Sequence, residues 1–405
     1  MSLPDGDDVL AGTVYSHRAR GRESTSFVYD AGYLADRRAY ALDPQLPLSA
    51  GPHQSAVDLP MFRAFADSTP DRWGRNLIRR AERMRARDQH DTVRSFGEFD
   101  LLLGVRDDLR QGALRFRDPD TGEFVATHTG VPLLTDLPTL LSAADRVAGD
   151  AEDAEALLLL LRAGSSLGGA RPKAHVRAAN GRLAIAKFPS PADDWNVMAW
   201  EKTAHDLAAA AGIDTPTMSL LMIDGRSVLV IDRFDRDPAG RRIGYASALT
   251  MLEARDGDTG DYLDIGAVIE QRSPAAGTEL RQLWRRMVFG VLISNTDDHL
   301  RNHGFLHDNA DAWRLSPAFD LNPDPEPGEQ HLATAIDGDT IVRLDAVMQV
   351  AAHFRVNDPL RVLGEVARAV STWRQVAAAN GLTRRDVDEM EPAFAQLDRA
   401  RAIAG

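Results

Sequence analysis

The chain has 405 residues, with 47 Lys+Arg against 60 Asp+Glu for a net charge of −13, and no cysteine. That length predicts two or three domains of about 150 residues each, and the missing cysteines exclude disulfides, thiolate nucleophiles and Cys-zinc sites. The acidic surface as a whole repels nucleic acid and anionic membranes, so any nucleic-acid contact has to be local or supplied by a partner.

The opening residues, MSLPDGDDVLAG, have neither a basic n-region nor an apolar h-region. The longest apolar runs, 156–161 and 287–293, are far shorter than the ~20 residues that cross a bilayer. A cytoplasmic protein without membrane contact is expected. Only Lys173, Lys187 and Lys202 are lysine, so the other 44 basic residues are arginine. A lysine retained in such a chain invites a reason, since a compact ammonium and a planar guanidinium differ as phosphate ligands.

In chain order, residues 9–47 read as turn-broken β-structure. A helix follows Thr69-Pro70, with Pro at its first position and Trp73, Leu77, Ile78, Ala81 and Met84 at spacings of three and four. A short helix over 96–103 leads to a strand over 112–117, and the Gly/Pro/Asp/Thr-rich stretch 118–136 is a domain boundary. Strands over 173–177 and 182–188 flank Asn180-Gly181, the signal of a two-residue hairpin turn. A helix over 194–211 stops at Gly212, and a second hairpin, 218–223 and 227–232, turns at Asp224-Gly225. Beyond Asp237 the pattern is helical: a mostly buried helix over 283–293, then amphipathic stretches over 359–379 and 384–401. These elements predict an α+β protein, a β-containing lobe joined through 231–240 to an all-helical lobe. The expected domains are 1–120, 121–236 and 237–405.

Three constellations carry chemistry. The segment GSSLGGARPK (164–173) precedes the first hairpin strand, and its glycines let backbone N–H groups approach phosphate oxygens. It is neither a Walker A loop nor a G-x-G-x-x-G, and such a segment taken alone is more often just a turn. Lys187 sits in the apolar strand LAIAKF, one hairpin strand after those glycines, where protein kinases keep the lysine that holds the α/β-phosphates. Glu201 on the next helix is its candidate orienting carboxylate; the alternative is a lysine snorkelling to water. In SNTDDHLRNHGF (294–305), Asp297 precedes Asn302 by five, matching the D-x-x-x-x-N of a kinase catalytic loop, in which the Asp is the base and the Asn a magnesium ligand. Asp320 in LSPAFDLNP stands where a kinase keeps its second metal ligand.

Two rival readings attach to the same region. His299, His303 and His307 are four apart, which on a continuous helix would align them with Asp297 and Asp298 as a metallohydrolase site. The run DGDTGDYLD (256–264) resembles a calcium loop without its closing Glu, or a solvated acidic loop.

Together, GSSLGGARPKAHV, LAIAKFPSPADDWNVMAWEKTAHDLAAAAGI, LVIDRFDR, GVLISNTDDHLRNHGFL and LSPAFDLNP resemble the HipA family of serine/threonine kinases, toxins of type II toxin-antitoxin pairs. LPMFRAFADSTPDRWGRNLIRR and DLLLGVRDDLRQGALRFR resemble the same family, so the likeness covers about residues 10–330. It implies a bilobal protein-kinase-like α+β fold with an extra N-terminal subdomain and an all-α C-terminal lobe. It makes Asp297 the catalytic base, Asn302 and Asp320 the Mg2+ ligands, and Lys187 the ATP-phosphate lysine. Ser165, Ser166, Leu167, Gly168 and Gly169 become the phosphate loop, with Ser166 the self-inhibiting autophosphorylation site and Ser165 its neighbour. Asp232, where the family often has Glu, and Phe234 fall at the adenine hinge. His299 becomes an organiser of the catalytic loop, and Arg301 stands near the transferring phosphate.

The same likeness implies a HipB-like helix-turn-helix antitoxin as partner, DNA contact only through it, and a protein substrate. In some members that substrate is an aminoacyl-tRNA synthetase, whose inactivation produces dormancy and persistence. The alternative from another class is a catalytically silent kinase-fold binding protein acting as antitoxin partner or co-repressor.

Overall fold

The computed structural model describes residues 1–126, 130–149, 153–164, 169, 171–178, 180–309, 312–326 and 328–404. It is a mixed α+β protein that divides into two compact units, each discontinuous in sequence. The first comprises Met1–Ala192, Asp232–Ala246 and Leu306–Asp311, and the second Asp193–Ile231, Ser247–Phe305 and Ala312–Gly405. Among the described residues no helix is long and apolar enough to cross a membrane.

The first unit opens on an antiparallel hairpin, Gly12–Ala19 and Arg22–Tyr29, reversed at Arg20 and Gly21, both at positive φ. Two such residues match a reversal to the right-handed twist of the strands. Phe27, Tyr29, Tyr33, Phe62 and Phe65 fill the core behind it. The helix Arg72–Asp88 buries Trp73 and Leu77 but begins later than its sequence predicts. Asp71, not Pro70, sets the start, because its carboxylate accepts the Gly74 N–H at 2.8 Å and so caps the helix.

The strand predicted over 112–117 does not form; only an isolated bridge between Arg117 and Phe124 is present. Its side chains are drawn elsewhere, with Arg115 pairing with Asp107 and lying over the Phe124 ring. The helix predicted over 96–103 occupies Glu98–Gly104. Two helices without a clear signal in the sequence pattern, Leu137–Ala148 and Ala154–Ala163, follow the predicted boundary.

Strands Lys173–Arg177 and Leu183–Lys187 pair antiparallel, with Lys173 opposite Lys187 and Arg177 opposite Leu183. The reversal is longer than two residues. Ala178 N–H donates to Arg182 C=O at 2.9 Å, and Gly181, at φ 81°, lies inside that bridge. Arg233 N–H donates to Leu183 C=O at 3.2 Å, bringing the segment after residue 231 beside the strand that carries Lys187.

In the second unit, helix Val197–Ala210 is capped by Asn196 and followed by Gly212 in the left-handed region. The hairpin Met218–Ile223 and Arg226–Asp232 turns at Asp224 and Gly225, both at positive φ, as Asp-Gly predicts. Helix Ala276–Leu292 is buried along its second half and runs straight into the site loop. The predicted helix over 359–379 breaks at Ser371-Thr372 into Pro359–Val370 and Trp373–Ala379. That over 384–401 is interrupted around Pro392, between Arg384–Met390 and Leu397–Ala404.

The region after Asp237 is not helical throughout. Short strands Gly244–Ser247, Gly260–Asp261, Gly304–Asn309, Ala312–Leu315, His331–Ile336 and Asp339–Ile341 interrupt it. Segments this short leave no clear period-two signature, which is why the sequence pattern reads as helix alone.

Candidate active site

The buried helix Ala276–Leu292 delivers the chain to residue 294, where Ser294 turns through φ 51°. Asn295, buried, accepts the Asn322 N–H on its Oδ1 at 3.2 Å, and Thr296 Oγ1 donates to Asp324 Oδ2 at 2.6 Å. These two bonds staple the loop 294–303 to the segment 315–324. The second segment is held in turn by helix Ala276–Leu292, since Arg286 donates to Ser316 C=O at 2.6 Å and Leu315 N–H donates to Glu279 at 2.9 Å.

Asp297 faces solvent at the head of this loop, while its neighbour Asp298 is buried. The Asp297 carboxyl is pushed above its ordinary value, first by loss of hydration and then by the charges of Asp320, Asp298 and Asp324; His299 opposes the rise. That dependence on Asp320 and Asp324 reports a negative field shared by the three carboxylates. His299 N–H donates to Asp297 C=O at 2.9 Å, and Asn302 Nδ2 donates to the same carbonyl at 2.9 Å. Asn302 is therefore locked by its amide nitrogen, and its Oδ1 is left as an acceptor for a cation.

Asp320 lies half-buried at φ 59°. A non-glycine residue in the left-handed region costs roughly 1 kcal/mol or more, a strain that persists where surroundings hold the residue for a task. One amide oxygen, one held carboxylate and a shared negative field form a donor set that suits a hard divalent ion. Mg2+ needs few protein ligands, because it keeps waters and takes substrate phosphate oxygens.

Asp298 serves the loop from below. Burial pushes its carboxyl up, but His303, with Nε2 3.3 Å away, and the Tyr262 hydroxyl, which donates to it, hold it below the usual range. Its carbonyl accepts Thr334 Oγ1 at 2.6 Å. Arg301 forks onto Asp256 through Nε at 2.6 Å and Nη2 at 2.9 Å. Tyr262 and Thr334 on Asp298, and Asp256 on Arg301, lie more than 30 residues away in sequence, and no local spacing signals them.

The histidine metal site does not form. Leu300–Asn302 is a single tight turn followed by strand Gly304–Asn309, so the three histidines share no helix face. His303 faces Asp298, whereas His307 stacks on Tyr40 at 3.6 Å. Among the described residues no group of three His, Asp or Glu is placed to hold a metal. The acidic run 256–264 is engaged by the protein itself, with Asp258 accepting Arg255 N–H and Asp261 accepting Leu263 and Gly338 N–H groups.

In the first unit, Lys187 ends strand Leu183–Lys187, half-buried, on the face shared by Leu183 and Ile185. Asp232 Oδ2 lies 3.6 Å from Arg182 Nε, and the Phe234 ring sits 6.5 Å from that of Tyr245. Glu201 is buried on helix Val197–Ala210 of the second unit. Ser165, Ser166, Leu167 and Gly168 lie outside the described residues; Gly169 is described, at φ 88°. Lys173 is not a solvent-facing phosphate ligand. It is buried and ion-paired with Asp71 at 2.5 Å. The scarcity of lysine marked this residue, but nothing local named its partner.

Comparisons with known proteins bear on both units. Residues 165–378 match the model of the HipA-like C-terminal domain, and residues 7–116 that of the HipA N-terminal domain. A protein of Sinorhizobium fredii named "Putative kinase Y4dM" is 31% identical over 129 residues, 28% of this chain and 31% of its own length. A "Putative kinase" of Haemophilus influenzae is 26% identical over 187 residues, 40% of this chain and 54% of its own. The matched stretches thus span about a third to a half of these relatives. Among solved structures, the Shewanella oneidensis HipA in a complex with HipB and operator DNA superposes with a TM-score of 0.62 at 15% identity. That match covers 98% of this chain and 95% of the other, and establishes likeness of fold.

Proposed function

The chain belongs to the HipA family, and on that premise we propose that it is an ATP-dependent protein serine/threonine kinase in which Asp297 is the general base. The observation that carries the reading is the acidic loop pair. Asp297 stands at the head of a stapled loop with a raised carboxyl, five residues before an Asn302 whose amide oxygen is kept open and in the field of a strained Asp320. In such a site a substrate hydroxyl donates its proton to Asp297 as its oxygen bonds to the γ-phosphorus and the bond to the β-phosphate oxygen breaks, releasing ADP. A raised carboxyl pKa makes Asp297 a stronger base than a solvated aspartate.

Asn302 and Asp320 are the residues that would hold Mg2+, which supplies charge neutralisation at the phosphates. Lys187 contributes a point charge for the α/β-phosphates, with Asp232 and Phe234 at the adenine end and residues 165–169 as the phosphate loop. Phosphorylation of Ser166 would put added charge and bulk where the phosphates of ATP belong, switching the enzyme off. Family membership supports a HipB-like helix-turn-helix antitoxin as partner, with DNA reached through it, and a protein Ser/Thr substrate such as an aminoacyl-tRNA synthetase.

The test is incubation with γ-labelled ATP and magnesium, beside Asp297→Asn, with the label mapped by mass spectrometry. Label on Ser165 or Ser166 in the wild type alone supports a self-inhibiting kinase. ATP binding without label, in protein verified free of prior phosphorylation, moves the weight to a catalytically silent partner protein.

A further inference from the structure

Lys173 and Lys187 stand directly opposite each other in the hairpin, so their side chains leave the same sheet face roughly 5 Å apart at Cβ. Like charges so placed repel. At Lys173 the structure supplies a counter-charge. Lys173 is only 2% exposed and donates to Asp71 Oδ2 at 2.5 Å, across a sequence separation of 102. Asp71 is also the residue whose other oxygen caps helix Arg72–Asp88. From the same ammonium a second bond runs to Gly169 C=O at 3.3 Å. Gly169 is at φ 88°, and a Cβ there would lie 3.4 Å from the Lys173 nitrogen. The ammonium is therefore held between the start of an N-terminal helix and the last described glycine of the segment 164–169.

We propose that Asp71 and Lys173 form a clamp by which the N-terminal subdomain positions Gly169 for nucleotide and cancels the charge facing Lys187. This rests on the kinase reading above. In this proposal both are positioning residues that act through Gly169 and Lys187. The clamp gives the N-terminal subdomain a stake in nucleotide binding: whatever shifts helix Arg72–Asp88 shifts Asp71, and with it Gly169.

The test compares full-length wild type, Lys173→Met, which has no donor for the Gly169 carbonyl, Asp71→Asn and the double variant in two measurements, the urea midpoint and the affinity for a fluorescent ATP analogue with magnesium. Asn at 71 keeps the helix cap. Each single variant strands a buried charge and lowers the midpoint, and the double variant, with no charge left to strand, recovers most of it. The clamp predicts that affinity does not recover with it: the double variant still binds the analogue about tenfold more weakly, the scale of one lost positioning hydrogen bond. An affinity that returns to wild type along with the midpoint would make the pair purely structural and overturn the proposal. If wild type itself fails to bind the analogue, the kinase reading falls, and the clamp as a nucleotide device falls with it.

Discussion

Each unit holds a charged cluster, and the two carry opposite excess charge. In the first unit, Arg110, Arg233, Arg236 and Arg242 crowd around Asp235 and Asp107. Asp235 takes Arg233 through Nε at 2.8 Å and Nη2 at 2.6 Å, Arg236 at 2.8 Å and the Gly112 N–H at 2.8 Å. The surplus guanidinium donors go to the carbonyls of Val105, Leu109 and Arg110. Burial pulls Arg110 and Arg236 down to about 9, yet they stay charged at neutral pH. In the second unit the excess is negative, with Asp297, Asp320 and Asp324 in one field. Backbone carbonyls satisfy the surplus cations of the first cluster, whereas loss of hydration and then repulsion from neighbouring carboxylates keep Asp297 raised in the second. A cluster closed by its own backbone is architecture, and one in which a solvent-facing carboxyl is held raised in a negative field is a candidate for chemistry.

The contrast is broken most forcefully at Asp297. Asp297→Asn should lower phosphotransfer about 10²- to 10⁴-fold while the chain still folds, measured by γ-phosphate transfer beside far-UV circular dichroism. Asp235→Asn should leave several buried guanidiniums facing one another and cost about 3–5 kcal/mol, read from the urea midpoint, since breaking a buried ion pair strands its partners. Asn302→Ala should raise the magnesium concentration for half-maximal transfer roughly tenfold, with little change in the midpoint.

The pH dependence sharpens the same comparison, because the two aspartates are shifted in opposite directions. Asp235 is depressed: burial raises it, but Arg233 and Arg236 more than offset that, so its contribution is present above the unfolded value of 3.8 and lost only in stronger acid. Asp297 is raised, so the folded state holds its proton longer, and stability from this group falls as pH climbs from about 3.8 through the folded value. Asp297→Asn should therefore melt above wild type at pH 7 and lose that advantage below about pH 4. The smallest effect is expected at Asp256→Ala: its fork with Arg301 is 73% exposed on the acid side, so the midpoint should move by under about 1 kcal/mol.

What the sequence made legible was whatever lies close in chain. Asp297 and Asn302 are five apart, and the Asp-Gly turn at 224–225 has its conformation written in two residues. Asp71 with Lys173, Asp235 with Gly112, and Thr296 with Asp324 are separated by 102, 123 and 28 residues, and no periodicity connects them. The failed strand over 112–117 shows the same limit. Its alternating pattern was real, but Arg115 is claimed by Asp107 and Asp8, so tertiary pairing overrode β-propensity.

The separation of 123 residues between Gly112 and Asp235 also has a meaning in time. On a ribosome adding about 5–20 residues per second, Arg110 emerges roughly 6–25 s before the aspartate that anchors its cluster. Through that interval the Gly112 N–H and the Leu109 and Arg110 carbonyls lack the partners that close this cluster. A chaperone that reads unsatisfied backbone therefore has that window in which to engage the N-terminal part of the nascent chain.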